Sequence, residues 1–151
     1  MLRFIEYILK TYFIGDIGEM GTFNSLEEAR EYFKNDRFAT ANGMQIDELG
    51  EDYSICSMTV TDAHQNAYGG VMGGVIFTLA DFSLAVLTNH IHSLSVAQQM
   101  SINYLNAPKG SRLISRAEKV KSGKTTTIVN IKVTDDTGRE IAILTATAFK
   151  L

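Results

Sequence analysis

The pattern of apolar and polar positions singles out one stretch, Asn66 to Asn89. From Gly74 to Leu87 it is apolar apart from Thr78, Asp81 and Ser83. A helix that is apolar on every face is a buried helix rather than a surface one. At roughly 1.5 Å per residue it would be about 20–25 Å long, and with a carboxylate at its centre it is too short to span a bilayer. The expected picture is a central helix wrapped by the rest of the chain.

The flanking segments supply the wrapping. Ser25-Leu26-Glu27-Glu28 is a capping box, opening a helix through about Asn35 with Leu26, Ala29, Tyr32 and Phe33 on one face. Asn42-Gly43 breaks the chain. Met44, Ile46 and Leu49 then mark one strand, and Tyr53, Ile55, Ser57 and Thr59 alternate with Cys56, Met58 and Val60 in a second. Gly50-Glu51-Asp52 turns between them, which predicts an antiparallel pair. After the central helix, residues 93–105 read as a strand with Val96, Gln98, Met100, Ile102 and Tyr104 on one side. Pro108 and Gly110 mark a loop. Strands at about 111–122, 124–135 and 139–150 follow, joined by Ser122-Gly123-Lys124 and by Asp135-Asp136-Thr137-Gly138. This is an α+β order, one antiparallel sheet around a long helix. Leu2, Ile5, Leu9 and Tyr12 add a short amphipathic helix within an N-terminal extension, residues 1–24, ahead of a domain at 25–151.

Composition narrows the class. With 151 residues, 45% of them hydrophobic, the chain is long enough for one sizeable core. A net charge of −3 gives nucleic-acid binding no support. Residues 1–108 hold 5 Lys/Arg against 13 Asp/Glu, whereas 109–151 hold 9 against 4. That basic third either meets a phosphate-bearing ligand or is a solvated face of the sheet. Cys56 is the single cysteine, which excludes an internal disulfide and suits a reducing cytoplasm. Its place in an alternating strand predicts a small core residue. Glu6 and Lys10 interrupt the opening apolar run, so no secretory signal is expected, and membrane association has little cationic support.

The candidate chemistry lies in the central stretch. A buried, unpaired carboxylate costs several kcal/mol unless it finds donors or shifts its pKa. Asp81 is therefore either hydrogen-bonded to a neighbour for structural reasons or functional. Gly69-Gly70 and Gly73-Gly74 lead into the helix, where first-turn N–H groups have no intrahelical partner and the dipole is positive. Such an end suits a carbonyl that becomes an oxyanion under attack. Gly73 and Asp81 are eight residues apart, about 12 Å along a helix axis. One chain cannot readily aim both at a single carbonyl, but two antiparallel copies can. That predicts a site shared across a two-fold dimer.

Asn66, Gly69, Met72-Gly73-Gly74 and Leu79-Ala80-Asp81, with SINYLNAPKG and two Gly-turned hairpins after them, resemble the hotdog-fold acyl-CoA thioesterases. The likeness is to the phenylacetyl-CoA thioesterase-like branch of the 4-hydroxybenzoyl-CoA thioesterase superfamily, over about residues 25–150. It implies a hotdog, a long helix wrapped by an antiparallel sheet, assembled as a homodimer and often a homotetramer. It further implies hydrolysis of an acyl- or aryl-CoA thioester, with no cofactor. Asp81 would be nucleophile or general base, Gly73 or the amide of Gly74 would polarise the carbonyl, and Asn66 would orient substrate or water. Met72, Phe77, Phe82 and Tyr68 would shape the acyl pocket, and Lys121 and Lys124 would meet the phosphates of coenzyme A.

One position departs from the family. Met72 stands where a histidine is usual, which keeps the backbone donor and removes a polar side chain. His64 either compensates or is a loop histidine near solvent, the latter being the expectation. His90 and His92 lack further ligands at a suitable spacing, so no metal is expected. Met72 keeps a second reading open, an acyl-CoA-binding module without turnover. A hotdog dehydratase is disfavoured, because no histidine lies in the expected stretch.

Overall fold

Helix α1 (Leu26–Phe33) starts where its capping box places it. Ser25 Oγ accepts the Glu28 N–H at 3.1 Å, and Glu28 reaches back to the Asn24 N–H at 2.7 Å. It ends two residues earlier than the expected Asn35. A second helix, α2 (Arg37–Ala41), follows at once, capped by Asp36, whose Oδ1 accepts the Ala39 N–H at 3.0 Å. Five residues are too few for periodicity to reveal. The computed structural model describes residues 21–151, so the amphipathic segment read at 2–13 lies outside the described residues.

The strands are β1 (Gln45–Leu49), β2 (Tyr53–Thr59), β3 (Ser95–Tyr104), β4 (Arg112–Ser122), β5 (Thr126–Asp135) and β6 (Glu140–Lys150). They form one antiparallel sheet in the order β1-β2-β4-β5-β6-β3. The central helix, α3 (Gly73–Ile91), lies on one face of it and touches all six strands. Leu79, Leu84, Val86 and Leu87 on the helix meet Leu113, Ala117, Val129, Val133 and Ala146 in a closed core. Cys56 is fully buried there, and burial pushes its thiol far above the ordinary range. This is the wrapped-helix architecture that the segment order predicts.

Three expectations change. The helix has 19 residues, about 28 Å at 1.5 Å each. It is therefore long and apolar enough to cross a membrane by length and composition, although most of it is buried inside this fold. Nor is it buried all round: Gly74 is exposed, and Thr78, Asp81 and Ala85 are half-buried, at a spacing that puts them on one face. In β3 a bulge between Ala97 and Gln99 breaks the alternation. Val96 pairs with the exposed Phe149, whereas Met100, Ile102 and Tyr104 pair with the buried Ala146, Leu144 and Ala142. The predicted one-sided row is thus split between the two faces.

The far end of α3 is tied to the segment before α1. The Thr22 N–H donates to the His90 carbonyl at 2.7 Å, and the buried Phe23 ring stacks on the His90 imidazole at 6.0 Å.

Candidate active site

The approach to α3 is a tight loop organised by Asn66. Its Oδ1 accepts the N–H groups of Tyr68 (2.9 Å) and Gly70 (3.2 Å), and its own N–H donates to the Gly70 carbonyl at 2.7 Å. Gly69 closes the turn at φ 76°, a left-handed value that favours glycine. The Asn66 side-chain oxygen is thus committed to the loop, and among the described residues no acceptor takes its amide nitrogen.

His64 is buried, contrary to the expected solvent-near loop position. Its Nδ1 accepts the Thr61 N–H at 3.0 Å, and its carbonyl accepts the Met72 N–H at 2.9 Å. The ring folds inward because it caps a short turn, Asp62–His64. Its observed work is to brace the residue that precedes the helix.

Met72 occupies the N-cap of α3 but its side chain caps nothing. The Met72 carbonyl takes the Val75 N–H at 3.0 Å. Among the described residues no acceptor takes the N–H of Gly73 or of Gly74. Two adjacent amides therefore stay open at the positive end of the helix. A Ser, Thr, Asn or Asp at position 72 would compete for the second of them, the Gly74 N–H at the N2 position.

Tyr104, at the end of β3, adds a contact that the sequence did not suggest. Its hydroxyl donates to the Gly73 carbonyl at 3.0 Å. A Cβ added to Gly73 would lie 3.1 Å from the tyrosine ring, so glycine permits the close approach. Beside them Val71, Gly73, Ile76, Tyr104 and Pro108 border an open cavity of about 350 Å³. Periodicity reports which face of a strand a residue occupies, not which distant backbone it reaches.

Asp81 lies two turns along α3, on the open face with Gly74 and Thr78. Among the described residues it has no ion pair, and no hydrogen-bond donor meets its carboxylate. Burial, and secondarily the charge of Asp36, raise its carboxyl above the ordinary range. Among the described residues, then, Asp81 has no structural hydrogen bond to account for its carboxylate.

The other expected residues are dispersed in the single chain. Phe82 is buried, edge-on to Phe33 at 5.7 Å, and with Phe33, Met44 and Ile46 it borders a cavity of about 380 Å³. Phe77 is half-buried, whereas Tyr68 is 98% exposed and meets neither of them. Lys121 and Lys124 are exposed on the β4–β5 hairpin. His92 Nε2 lies 2.9 Å from Ser122 Oγ, which puts that hairpin at the C-terminal end of α3, far from Gly73. His90 accepts the Phe23 N–H through Nδ1 at 3.3 Å, and burial lowers its pKa. Both histidines thus have structural partners, and no three His, Cys, Asp or Glu side chains converge on a metal site among the described residues.

Residues 68–142 match the Thioesterase superfamily. An Archaeoglobus fulgidus protein assigned as an esterase is 30% identical over 128 residues, 83% of this chain and 83% of that one. The acyl-coenzyme A thioesterase PaaI of Escherichia coli K12 is 28% identical over 118 residues, 78% of this chain and 84% of the relative. The solved structure of the E. coli PaaI protein from the phenylacetic acid degradation operon aligns with a TM-score of 0.77 at 25% identity, covering 84% of this chain and 96% of that one. The region matched by the family spans the Asn66–Gly74 loop in part, the whole of α3, strands β3, β4 and β5, and the start of β6. The chain therefore belongs to the Thioesterase superfamily, as a hotdog-fold member of the PaaI-like kind.

Proposed function

We propose that the protein hydrolyses acyl- or aryl-CoA thioesters to the carboxylic acid and free coenzyme A, at a site shared by two antiparallel copies. The observation that carries this reading is the pairing, on one helix, of groups without partners among the described residues: two open amides at Gly73 and Gly74, and a carboxylate without donors at Asp81. The PaaI relative is named an acyl-coenzyme A thioesterase, which supports the substrate class.

The chemistry follows from these groups. The thioester carbonyl accepts from the Gly73 and Gly74 amides of one copy, and Asp81 of the other attacks it or removes a proton from an attacking water. Charge that develops on the carbonyl oxygen meets donors already in place, so little reorganisation is needed at the moment of reaction. The thiolate leaves with little need of an acid, which is why one carboxylate suffices without the family histidine.

Two features support the shared site. Gly73 and Asp81 lie on one continuous helix about 12 Å apart. Among the described residues the sheet ends in β3, whose outer edge is unpaired and carries the exposed Val96 and Tyr104. Joining β3 to β3 of a second copy about a two-fold axis brings the open faces of the two helices together, antiparallel. It also carries the hairpin lysines of one copy toward the Gly73 end of the other, where Lys121 and Lys124 meet the phosphates of coenzyme A. The outward Val120, Ile143 and Phe149 offer the sheet face for a tetramer. A buried, lone thiol fits the cytoplasm as its compartment.

Met72 favours the second reading, a binding module without turnover. The test is thiol release from short-chain, medium-chain and aryl-CoA thioesters by the wild type and by Asp81→Asn of equal folding. A fall of at least about a hundredfold in kcat, with KM little changed, is the expected result. Binding without wild-type turnover across the panel would establish the second reading instead.

A further inference from the structure

The hydrogen bond from Tyr104 to the Gly73 carbonyl has a partner on the other side of the same peptide. A trans peptide is planar, and its C=O and N–H point in opposite directions. The carbonyl of Gly73 and the N–H of Gly74 belong to one such plane. Whatever holds the first aims the second, and the second is an open donor at the reacting end of α3.

The helix holds this plane on one side, since the Gly73 carbonyl is the acceptor for the Phe77 N–H in the i→i+4 ladder. The plane lies between two glycines, whose backbone angles are constrained by no Cβ. Met72 supplies no cap to fix the turn from outside. A second clamp on the same carbonyl comes from β3, through a phenol whose ring rests against Gly73. The strand end that carries it is itself pinned, since the Leu105 and Asn106 N–H groups donate to the Ile141 carbonyl at 2.8 and 3.3 Å. A hydrogen bond to a carbonyl also polarises its peptide, strengthening the opposite N–H as a donor by roughly 10–30%.

We infer that Tyr104 is a positioning residue for the thioesterase reaction: it orients and polarises the 73–74 peptide so that the Gly74 amide meets the oxyanion. The inference rests on the function proposed above. It extends the site to a residue 31 positions from Gly73 in sequence and on a different element. Tyr104 is exposed beside the 350 Å³ cavity, so it also forms part of the wall along which substrate approaches that amide.

Tyr104→Phe keeps the ring and removes only the hydroxyl. Loss of an oxyanion donor outright costs on the order of 10²–10³ in kcat. Misaiming one is expected to cost about tenfold in kcat, with KM for the acyl-CoA within about twofold, because the amide acts on charge that develops after binding. The backbone amide resonance of Gly74 in an ¹⁵N–¹H spectrum is expected to shift upfield in the variant, at an unchanged melting temperature. A merely structural tyrosine would leave that resonance in place. A kcat within twofold of wild type, or a loss carried by KM instead, overturns the inference. If the wild type hydrolyses no thioester, the proposed function falls, and the resonance alone decides the role of Tyr104: unmoved, it refutes the clamp.

Discussion

Asp81 combines two properties that normally exclude each other, partial burial and, among the described residues, the absence of any donor. Its folded pKa lies above the ordinary aspartate value near 3.9, so ionisation costs the native state. The sign of the linkage follows. Below the unfolded pKa the carboxyl is protonated in both states and the penalty is absent. As pH rises through the raised folded value the penalty grows, and above that value it is complete. Asp81→Asn cannot ionise, so its melting temperature should exceed that of the wild type at pH 7 and converge with it below about pH 4. Thermal melts at the two pH values check this. A variant that loses activity while gaining stability identifies a residue kept for function. The same shift places the acid limb of kcat/KM above the range of an ordinary carboxylate. Gly73 is the counterpart at this scale, since any side chain there meets the Tyr104 ring.

At the scale of elements, the loop that borders the Gly73 cavity is held by an acid in another turn. Asp135, buried at the end of β5, accepts the Thr137 hydroxyl and the N–H groups of Lys109 (2.8 Å), Gly110 (3.0 Å), Thr137 (3.0 Å) and Arg139 (3.1 Å). The Thr137 hydroxyl first, then the amides of Lys109, Gly110 and Arg139, hold its carboxyl well below the usual carboxylate range. A depressed carboxylate stabilises the fold above its unfolded pKa, and that stabilisation is lost as pH falls toward the folded value. Asp135→Asn should therefore melt lower than the wild type at pH 7, with the gap narrowing from about pH 4 downward. Gly110 completes the joint, because a Cβ there would lie 1.7 Å from Asp136 Oδ1. The capping box of α1 and the hairpin turns were legible at this scale, since each is encoded within a few consecutive residues. Helix α2 and the β3 bulge were not: one is too short for a period, and the other is set by pairing with β6.

For the whole molecule, the proposed division of the site between two copies has a direct consequence. Asp81→Asn and Gly73→Val each disable a different half of it. Heterodimers of the two contain one site with both halves intact and one with neither. A random mixture of chains should therefore regain about a quarter of wild-type activity, from half the dimers with one of two sites working. Co-expression with differently tagged chains and assay of the purified mixture reads this out. A mixture no more active than its parents would place the whole site within one chain.

The amino-acid sequence by itself determined the long apolar helix, the succession of strands along the chain and the motif residues of the Asn66–Asp81 stretch, but not the order of the strands within the sheet. Each of these rests on local period, turn chemistry or adjacent motif. Only the tertiary structure decided that His64 turns inward, that the Asn66 oxygen is spent on its own loop, and that Asp81 lies on the open face without a donor. It alone brought Tyr104 to Gly73 and sent Lys121 and Lys124 to the opposite end of the helix. Those outcomes depend on which surfaces the sheet brings against α3 across tens of residues, and no spacing along the chain carries that information.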